Sequence, residues 1–231
     1  MVEFASTDTR AWIAALEAYG QRLQALGNPK LTALDTFYRV ELAELLEKRQ
    51  ADAYITQEEL TKIMQWKLSR GKWRSRLLNF VANLSDDDVR TASRKAFAAL
   101  PNLKEAIAHL STLKGVGPAT ASAVLAAHTP SIVPFMSDEA MVAALGGVKD
   151  YSMKVYLLFA EKLQVKSKEL QQSGDAELEQ FTASDVERAL WSSAAETMPQ
   201  KTPKSSNASR SKPNNSMAIS HSAGQKRKKR S

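Results

Sequence analysis

The sequence contains no cysteine and only three histidines among its 231 residues. The absence of cysteine excludes disulfide bonds, thiolate-ligated zinc, cysteine-held iron–sulfur clusters and a cysteine nucleophile. The histidines, His109, His128 and His221, are scattered and show no metal-ligand spacing. No stretch approaches the roughly 18 apolar residues that a membrane span requires. We therefore expect no metal site from side chains, no cofactor and no membrane partner.

The net charge of +7 is concentrated at the end of the chain. Nine of the 32 basic residues and none of the 25 acidic residues follow Pro199, which leaves 23 basic against 25 acidic residues before it. Residues 198–231 are rich in Ser, Asn, Pro and Lys, a composition that predicts a disordered tail. The tail ends in a basic run, Lys226, Arg227, Lys228, Lys229 and Arg230. This run is typical of a nuclear localisation signal, so we expect a nuclear protein that binds the import machinery; the alternative is a merely solvated tail.

Residues 1–197 carry the signals of successive helices. Trp12, Leu16, Tyr19 and Leu23 recur at three- and four-residue spacing, which predicts an amphipathic helix. Capping patterns mark further helix starts: Thr56 with Glu59, Ser85 with Asp86, Asp87 and Asp88, and Ser184 with Glu187. No stretch shows sustained strand alternation. We therefore predict one monomeric all-α domain over residues 1–197.

The segment LKGVGPATASAVLAAH, Leu113 to His128, concentrates small side chains directly after two glycines. Gly115 and Gly117 permit positive φ or a close backbone approach, and Pro118 suits the first turn of a helix. The small residues that follow allow two helices to pack closely. Such a turn leaves unpaired amides at a helix N-terminus, which are a ready site for a phosphate. A backbone contact of this kind carries no base-sequence information.

This pattern resembles the helix-hairpin-helix motif, in which a Gly-hydrophobic-Gly hairpin holds a DNA phosphate. The motif would cover about residues 104–128. The resemblance implies DNA contacts from Gly115, Val116, Gly117 and Thr120. The alternative interpretation is an ordinary corner between two helices, because a Gly-x-Gly turn needs structural context to indicate function.

The surrounding sequence resembles the helix-hairpin-helix DNA glycosylase superfamily, most strongly over residues 104–142 and more broadly over about 30–195. In that superfamily a catalytic aspartate begins the helix after the motif, and Asp138 in PFMSDEAM stands at that place. WKLSRGKWR together with MSDEAM further resembles the nuclear branch called Amun. The resemblance implies a bundle-like helical glycosylase fold and DNA repair. It also implies that Asp138 stabilises an oxocarbenium-like sugar or orients water at a flipped nucleotide.

One departure from the superfamily narrows the chemistry. Its bifunctional members carry a lysine just after the hairpin that forms a Schiff base with the sugar, and Ala119 stands there in this chain. That route to strand cleavage is absent, which leaves monofunctional base excision. Asp138 also has a purely structural interpretation. Ser137 is a natural N-cap, and acidic residues in the first turn are favoured by the helix dipole.

The segment KIMQWKLSRGKWRSR, residues 62–76, is the local concentration of positive charge in the body of the chain. Six basic residues and no acidic residue lie between Glu59 and Asp86. The basic residues predict phosphate contacts, with a solvated helix face as the alternative. We expect the two interleaved tryptophans, Trp66 and Trp73, to lie in the core; the alternative is that one of them stacks on a base or wedges the DNA helix. The residues of the segment that we assign to DNA are Lys67, Arg70, Lys72 and Arg74.

Two hypotheses for function stay open from the sequence. The first is a nuclear DNA-binding protein that acts as a monofunctional DNA glycosylase. The second is a nuclear module that uses the same fold to bind DNA or protein without chemistry. A base-sized cavity beside Asp138, open toward the hairpin, distinguishes the first from the second, because a glycosylase must hold a flipped base.

Overall fold

Every regular element that the structure, a computed structural model, describes between residues 2 and 197 is a helix. The α-helices are α1 (Thr9–Glu17), α2 (Tyr19–Ala25), α3 (Pro29–Thr36), α4 (Leu42–Arg49), α5 (Gln57–Arg70), α6 (Ser75–Ala82), α7 (Asp86–Ala98), α8 (Leu103–Ser111), α9 (Pro118–His128), α10 (Asp138–Ala144), α11 (Met153–Gln171) and α12 (Ala183–Ala195). A π-helical turn, Phe37–Glu41, joins α3 to α4, and 3-10 turns cover Gln50–Asp52 and Ala176–Leu178. The all-α prediction is confirmed for this part of the chain. The predicted tail from residue 198 lies outside it.

Local capping signals place several helix starts. The hydroxyl of Thr56 accepts a hydrogen bond from the Glu59 amide at 3.2 Å, and the Glu59 carboxylate accepts one from the Thr56 amide at 2.8 Å. Ser85 caps α7 by accepting a hydrogen bond from the Asp88 amide at 3.1 Å. Both starts are confirmed. The first amphipathic segment is divided into α1 and α2 at Ala18.

The predicted capping box at the start of α12 is wrong. Thr182 and Asp185 cap this helix instead, two residues earlier than the sequence suggested. Ser184 donates its hydroxyl to the Val133 carbonyl at 3.0 Å, which ties α12 to the segment before α10. Glu187 is committed to an ion pair described below and cannot act as a cap.

The core is built around α5 and α12. Helix α12 packs against α1, α2, α10 and α11, and α5 packs against α3, α6 and α9. The largest buried side chains include Trp12, Trp66, Trp191, Tyr156 and Phe159. Burial of each such side chain contributes about 1.5–3 kcal/mol or more. Tyr156, Phe159 and Leu163 of α11 and Trp191 of α12 all belong to this core.

The small residues of α9 hold two parts of the chain close together. Residues 119–126 are all buried. The Tyr38 hydroxyl donates to the Ala123 carbonyl at 2.7 Å. The Ser122 hydroxyl accepts a hydrogen bond from the Met136 amide at 3.0 Å. Because Met136 lies two residues before α10, this bond fixes the hairpin relative to the start of α10.

Candidate functional site

A cavity of about 300 Å³ lies where α5 ends, α9 begins and α10 begins. Its volume is at the lower end of the range for small-molecule pockets. Three groups of residues from separate parts of the sequence line it: Lys67, Lys72 and Arg74 from the basic segment; Gly115, Gly117, Ala119 and Thr120 from the hairpin; and Ser137, Asp138 and Glu139 at the start of α10. The structure therefore brings the hairpin, the basic segment and Asp138 to one cavity.

The two hairpin glycines have different roles. Gly115 has φ of +89°, and a Cβ atom there would lie 2.8 Å from the Cβ atom of Phe80. Gly117 has φ of −114°, and nothing lies within 4 Å of a Cβ atom built on it. The turn therefore requires glycine at 115 only. Among the described residues neither amide donates a hydrogen bond, so both remain available to an anion.

Val116 and Thr120 are placed differently from the two glycines. The Val116 amide donates to the Leu113 carbonyl at 3.0 Å, and its side chain is buried. Val116 therefore anchors the hairpin and offers no free amide, which corrects its assignment as a DNA contact. The Thr120 amide donates to the Gly117 carbonyl at 2.9 Å, and its side chain lies in the cavity wall.

Three of the four basic residues assigned to DNA are unpaired in the part of the chain that the structure describes. Lys72 and Arg74 are exposed on the loop between α5 and α6. Lys67 is partly buried on the last turns of α5. Neither an ion pair nor a hydrogen bond engages any of these side chains within residues 2–197. The cavity rim is consequently rich in unsatisfied positive charge.

Arg70 is the fourth, and its assignment to DNA is corrected by its burial. Its side chain is 3% exposed and pairs with Glu187, which is 2% exposed, at 3.0 Å between Nη2 and Oε1. The guanidinium lies 4.9 Å from the ring of Trp66 and 4.5 Å from that of Trp191. Arg70 thus belongs to the inner wall of the cavity as a buried, paired cation, and its Nε and Nη1 atoms have no hydrogen-bond partner among the described residues.

The two tryptophans of the basic segment do not share one environment. Trp66 is fully buried and stacks on Tyr38 at 3.8 Å between ring centroids, as predicted. Trp73 is 49% exposed, which contradicts its assignment to the core. The reason is local: α5 ends at Arg70, so Trp73 falls in the loop instead of on a helix face. Its flat ring stands between Lys72 and Arg74 in sequence, and Lys30 Nζ lies over the ring at 5.8 Å from its centroid.

Lys67 has an unusual electrostatic environment. Burial and the neighbouring charge of Arg74 together lower the pKa of its amine to about 8, against the opposing effect of Asp138. An unperturbed lysine has a pKa near 10.4. Lys67 therefore exists in part as a neutral amine near physiological pH.

Asp138 begins α10 at the edge of the cavity, and its side chain is 39% exposed. The Tyr151 hydroxyl donates to Oδ1 at 2.6 Å, and Lys149 Nζ lies 3.9 Å from Oδ2. Burial and this hydrogen bond raise the pKa of Tyr151 to about 12, so the phenol stays protonated and orients the carboxylate. Tyr151 lies 13 residues beyond Asp138 in a loop, and no sequence signal connected the two.

The two neighbours of Asp138 also line the cavity. Ser137 occupies the N-cap position but its hydroxyl makes no capping bond, and Oγ is buried without a partner in the described residues. Ser137 therefore takes the predicted N-cap position without making the side-chain bond of a capping residue. Burial raises the pKa of Glu139, with the charge of Arg70 opposing the shift. The start of α10 thus places two half-buried carboxylates side by side.

No group of three or more His, Asp or Glu side chains able to hold a metal ion occurs among residues 2–197. None of the helices in that range combines the length and apolar character needed to cross a bilayer. The predicted localisation signal, residues 226–230, lies outside the described part of the chain.

The structure defines the protein as an all-α domain with a cationic cavity at a glycine hairpin. No family model, no curated protein and no solved structure matches the chain. The resemblance to the glycosylase superfamily therefore rests on the sequence motifs alone.

Proposed function

We propose that this protein is a nuclear DNA-binding protein that excises a base as a monofunctional DNA glycosylase. The observation that carries the proposal is the cavity itself, since residues from three distant parts of the sequence line it together. A base-excising protein needs a phosphate anchor, a pocket for an extruded base and a group that stabilises charge on the sugar. The hairpin, the cavity and Asp138 match these three requirements.

The hairpin and the loop before α6 would anchor the DNA backbone. The free amides of Gly115 and Gly117 suit one phosphate. Lys72 and Arg74 are exposed, unpaired cations on the same rim and suit flanking phosphates. Trp73 is exposed between them and can stack on an unpaired base or fill the gap left by a flipped one. None of these contacts reads base sequence.

Asp138 would act on the sugar of the flipped nucleotide. Cleavage of an N-glycosidic bond develops positive charge on the sugar, and a nearby carboxylate stabilises that charge or orients the attacking water. The hydrogen bond from Tyr151 fixes the orientation of Asp138 in advance. The carboxylate stays partly exposed at the cavity edge, where a sugar attached to a phosphate at the hairpin would lie.

The cavity offers a polar partner for a base. Buried polar atoms normally have hydrogen-bond partners, so orphaned ones call for an explanation. The Ser137 hydroxyl is such an orphan in the cavity wall. A nucleobase carries donors and acceptors along one edge and could satisfy it.

The test is base release from a panel of duplexes that each carry one damaged or mismatched base, with alkali added to reveal abasic sites. We expect release from at least one duplex by the wild type and none by Asp138→Asn. Asparagine still accepts the Tyr151 hydrogen bond, so fold and binding should be retained. Asp87→Asn is the matched control, because Asp87 is an exposed carboxylate in the first turn of α7.

The second hypothesis, a module that binds without chemistry, is an outcome of the same experiment. Retained duplex binding with no abasic product from any duplex would overturn the excision proposal and leave Asp138 as a helix-start residue. Equal activity of wild type and Asp138→Asn would place the chemistry elsewhere. Nuclear localisation is tested separately through the tail.

A further inference from the structure

We propose that Lys67 is the amine of an abasic-site lyase activity, which attacks the aldehyde of a ring-opened deoxyribose in the cavity. Residue 119 supplies no amine after the hairpin, but a different helix does: Lys67 projects from α5 into the lining of the same cavity. The inference rests on the proposed DNA binding, because the substrate is a site in DNA. At an abasic site the deoxyribose has lost its base, and its ring-opened form exposes an aldehyde carbon. It does not depend on base excision by Asp138. An adduct at Lys67 together with base excision would make the protein bifunctional and would replace the monofunctional assignment.

Geometry is the first argument. Lys67 lines the cavity with Asp138, the hairpin glycines and Thr120, so its amine, a phosphate anchor and a carboxylate share one space. No carboxylate or carbonyl within residues 2–197 makes a hydrogen bond or an ion pair with the amine. Its Nζ atom has no hydrogen-bond partner among the described residues but is not fully buried, so it remains accessible from the cavity. A lysine held in a structural role would be expected to have an acceptor.

Protonation is the second argument. The titratable groups that share the cavity with Lys67 are Arg70, Lys72, Arg74, Asp138, Glu139 and Tyr151. Burial, with the charge of Arg74, lowers the pKa of Lys67 to about 8. About a fifth of the amine is then neutral at pH 7.4, against about a thousandth for an unperturbed lysine. Desolvation beside another cation is an established way to activate a lysine toward carbonyl carbons.

The reaction balances without a further reagent. The neutral amine adds to the aldehyde carbon C1′ and one water molecule leaves, which forms an imine that solvent protonates. The C2′ proton passes to water, the electron pair forms the C2′–C3′ double bond, and the 3′ phosphate leaves with the C3′–O electron pair. Water then hydrolyses the imine and returns the amine. The products are a cleaved strand with a 3′ unsaturated aldehyde and the unchanged protein.

The test uses the full chain and a duplex with a preformed abasic site, in the presence of borohydride, which reduces an imine to a stable amine. We expect a covalent protein–DNA adduct whose modified peptide contains Lys67, and strand cleavage without alkali when borohydride is omitted. Lys67→Arg should retain binding but reduce trapping on the order of 100-fold, because a guanidinium does not form the imine. Lys67→Met removes both charge and amine and should trap equally little.

Lys62→Met is the matched control, because Lys62 lies on the same helix, pairs with Glu58 and does not line the cavity. Its trapping should equal that of the wild type.

The rate of trapping should rise with pH and reach half its maximum near pH 8, because only the neutral amine attacks. With an ordinary surface lysine the rate of trapping would continue to rise up to about pH 10.

Three results separate this inference from the proposed function. Binding of the abasic duplex with no adduct, or an adduct that persists in Lys67→Met, would overturn the role of Lys67 and leave base excision untouched. An adduct at Lys67 with no base release from any duplex would support the lyase and overturn excision. An Asp138→Asn variant that traps at the wild-type rate would show that the two steps use different residues.

Discussion

The difference between the two hairpin glycines predicts that one can be replaced without unfolding the protein and the other cannot. At Gly115 the backbone has φ of +89°, and a new Cβ atom would lie 2.8 Å from the Cβ atom of Phe80. Positive φ in a β-branched residue costs about 1–3 kcal/mol, and overpacking against a fixed side chain costs about 1–3 kcal/mol more. We therefore expect Gly115→Val to lower the free energy of unfolding by about 2–6 kcal/mol.

At Gly117 neither effect operates, since φ is −114° and the space is open. Gly117→Val should change the free energy of unfolding by about 1 kcal/mol or less, which is the scale of an unfavourable N-cap residue. Its side chain would nevertheless stand where the proposed DNA phosphate would approach the free amides. Urea unfolding measures the first quantity, and fluorescence anisotropy with a labelled duplex measures the second. We expect a clear loss of affinity in a fully folded Gly117→Val protein.

The outcome that refutes this reasoning is specific. Wild-type affinity in folded Gly117→Val would show that the hairpin does not contact the DNA backbone. Equal stability of the two variants would show that the positive φ and the short contact at Gly115 do not determine the turn.

Two further predictions concern the interior and the tail. Glu187→Gln should lower the free energy of unfolding by about 3–5 kcal/mol, because the guanidinium of Arg70 would stay buried without its counter-ion. The control is Glu161→Gln on the exposed face of α11, which should change the free energy of unfolding little. A loss below about 1 kcal/mol in Glu187→Gln would contradict the importance of the pair. Deletion of residues 199–231 should abolish nuclear accumulation of a fluorescent fusion. It should also flatten the salt dependence of nonspecific DNA binding, because it removes nine cations. Unchanged nuclear import together with an unchanged salt dependence would exclude the tail from both roles.

Features decided by neighbouring residues could be predicted from the sequence. The start of α5 depends on Thr56 and Glu59, which are three residues apart, and the start of α9 depends on Pro118. The gathering of small residues after the hairpin likewise indicated close packing, and α9 is buried along residues 119–126. These signals act within one helical turn and need no knowledge of the rest of the chain.

Features decided by distant residues could not be predicted. The pair between Arg70 and Glu187 joins positions 117 residues apart, and nothing near Arg70 distinguishes it from Lys67 or Lys72 as a surface cation. The hydrogen bond between Tyr151 and Asp138 comes from a loop with no capping or periodic pattern. The lowered pKa of Lys67 has the same origin, because burial depends on how α5 packs against other helices.

The open space at Gly117 also makes the protein suitable for a single-site optical probe. The chain has no cysteine, so Gly117→Cys would introduce the sole thiol, and maleimide chemistry would place a dye at the cavity edge without competing sites. A small environment-sensitive dye there would report when an anion or a base enters, and at what rate. The same glycine that leaves room for a phosphate thus allows occupancy of the cavity to be followed in time.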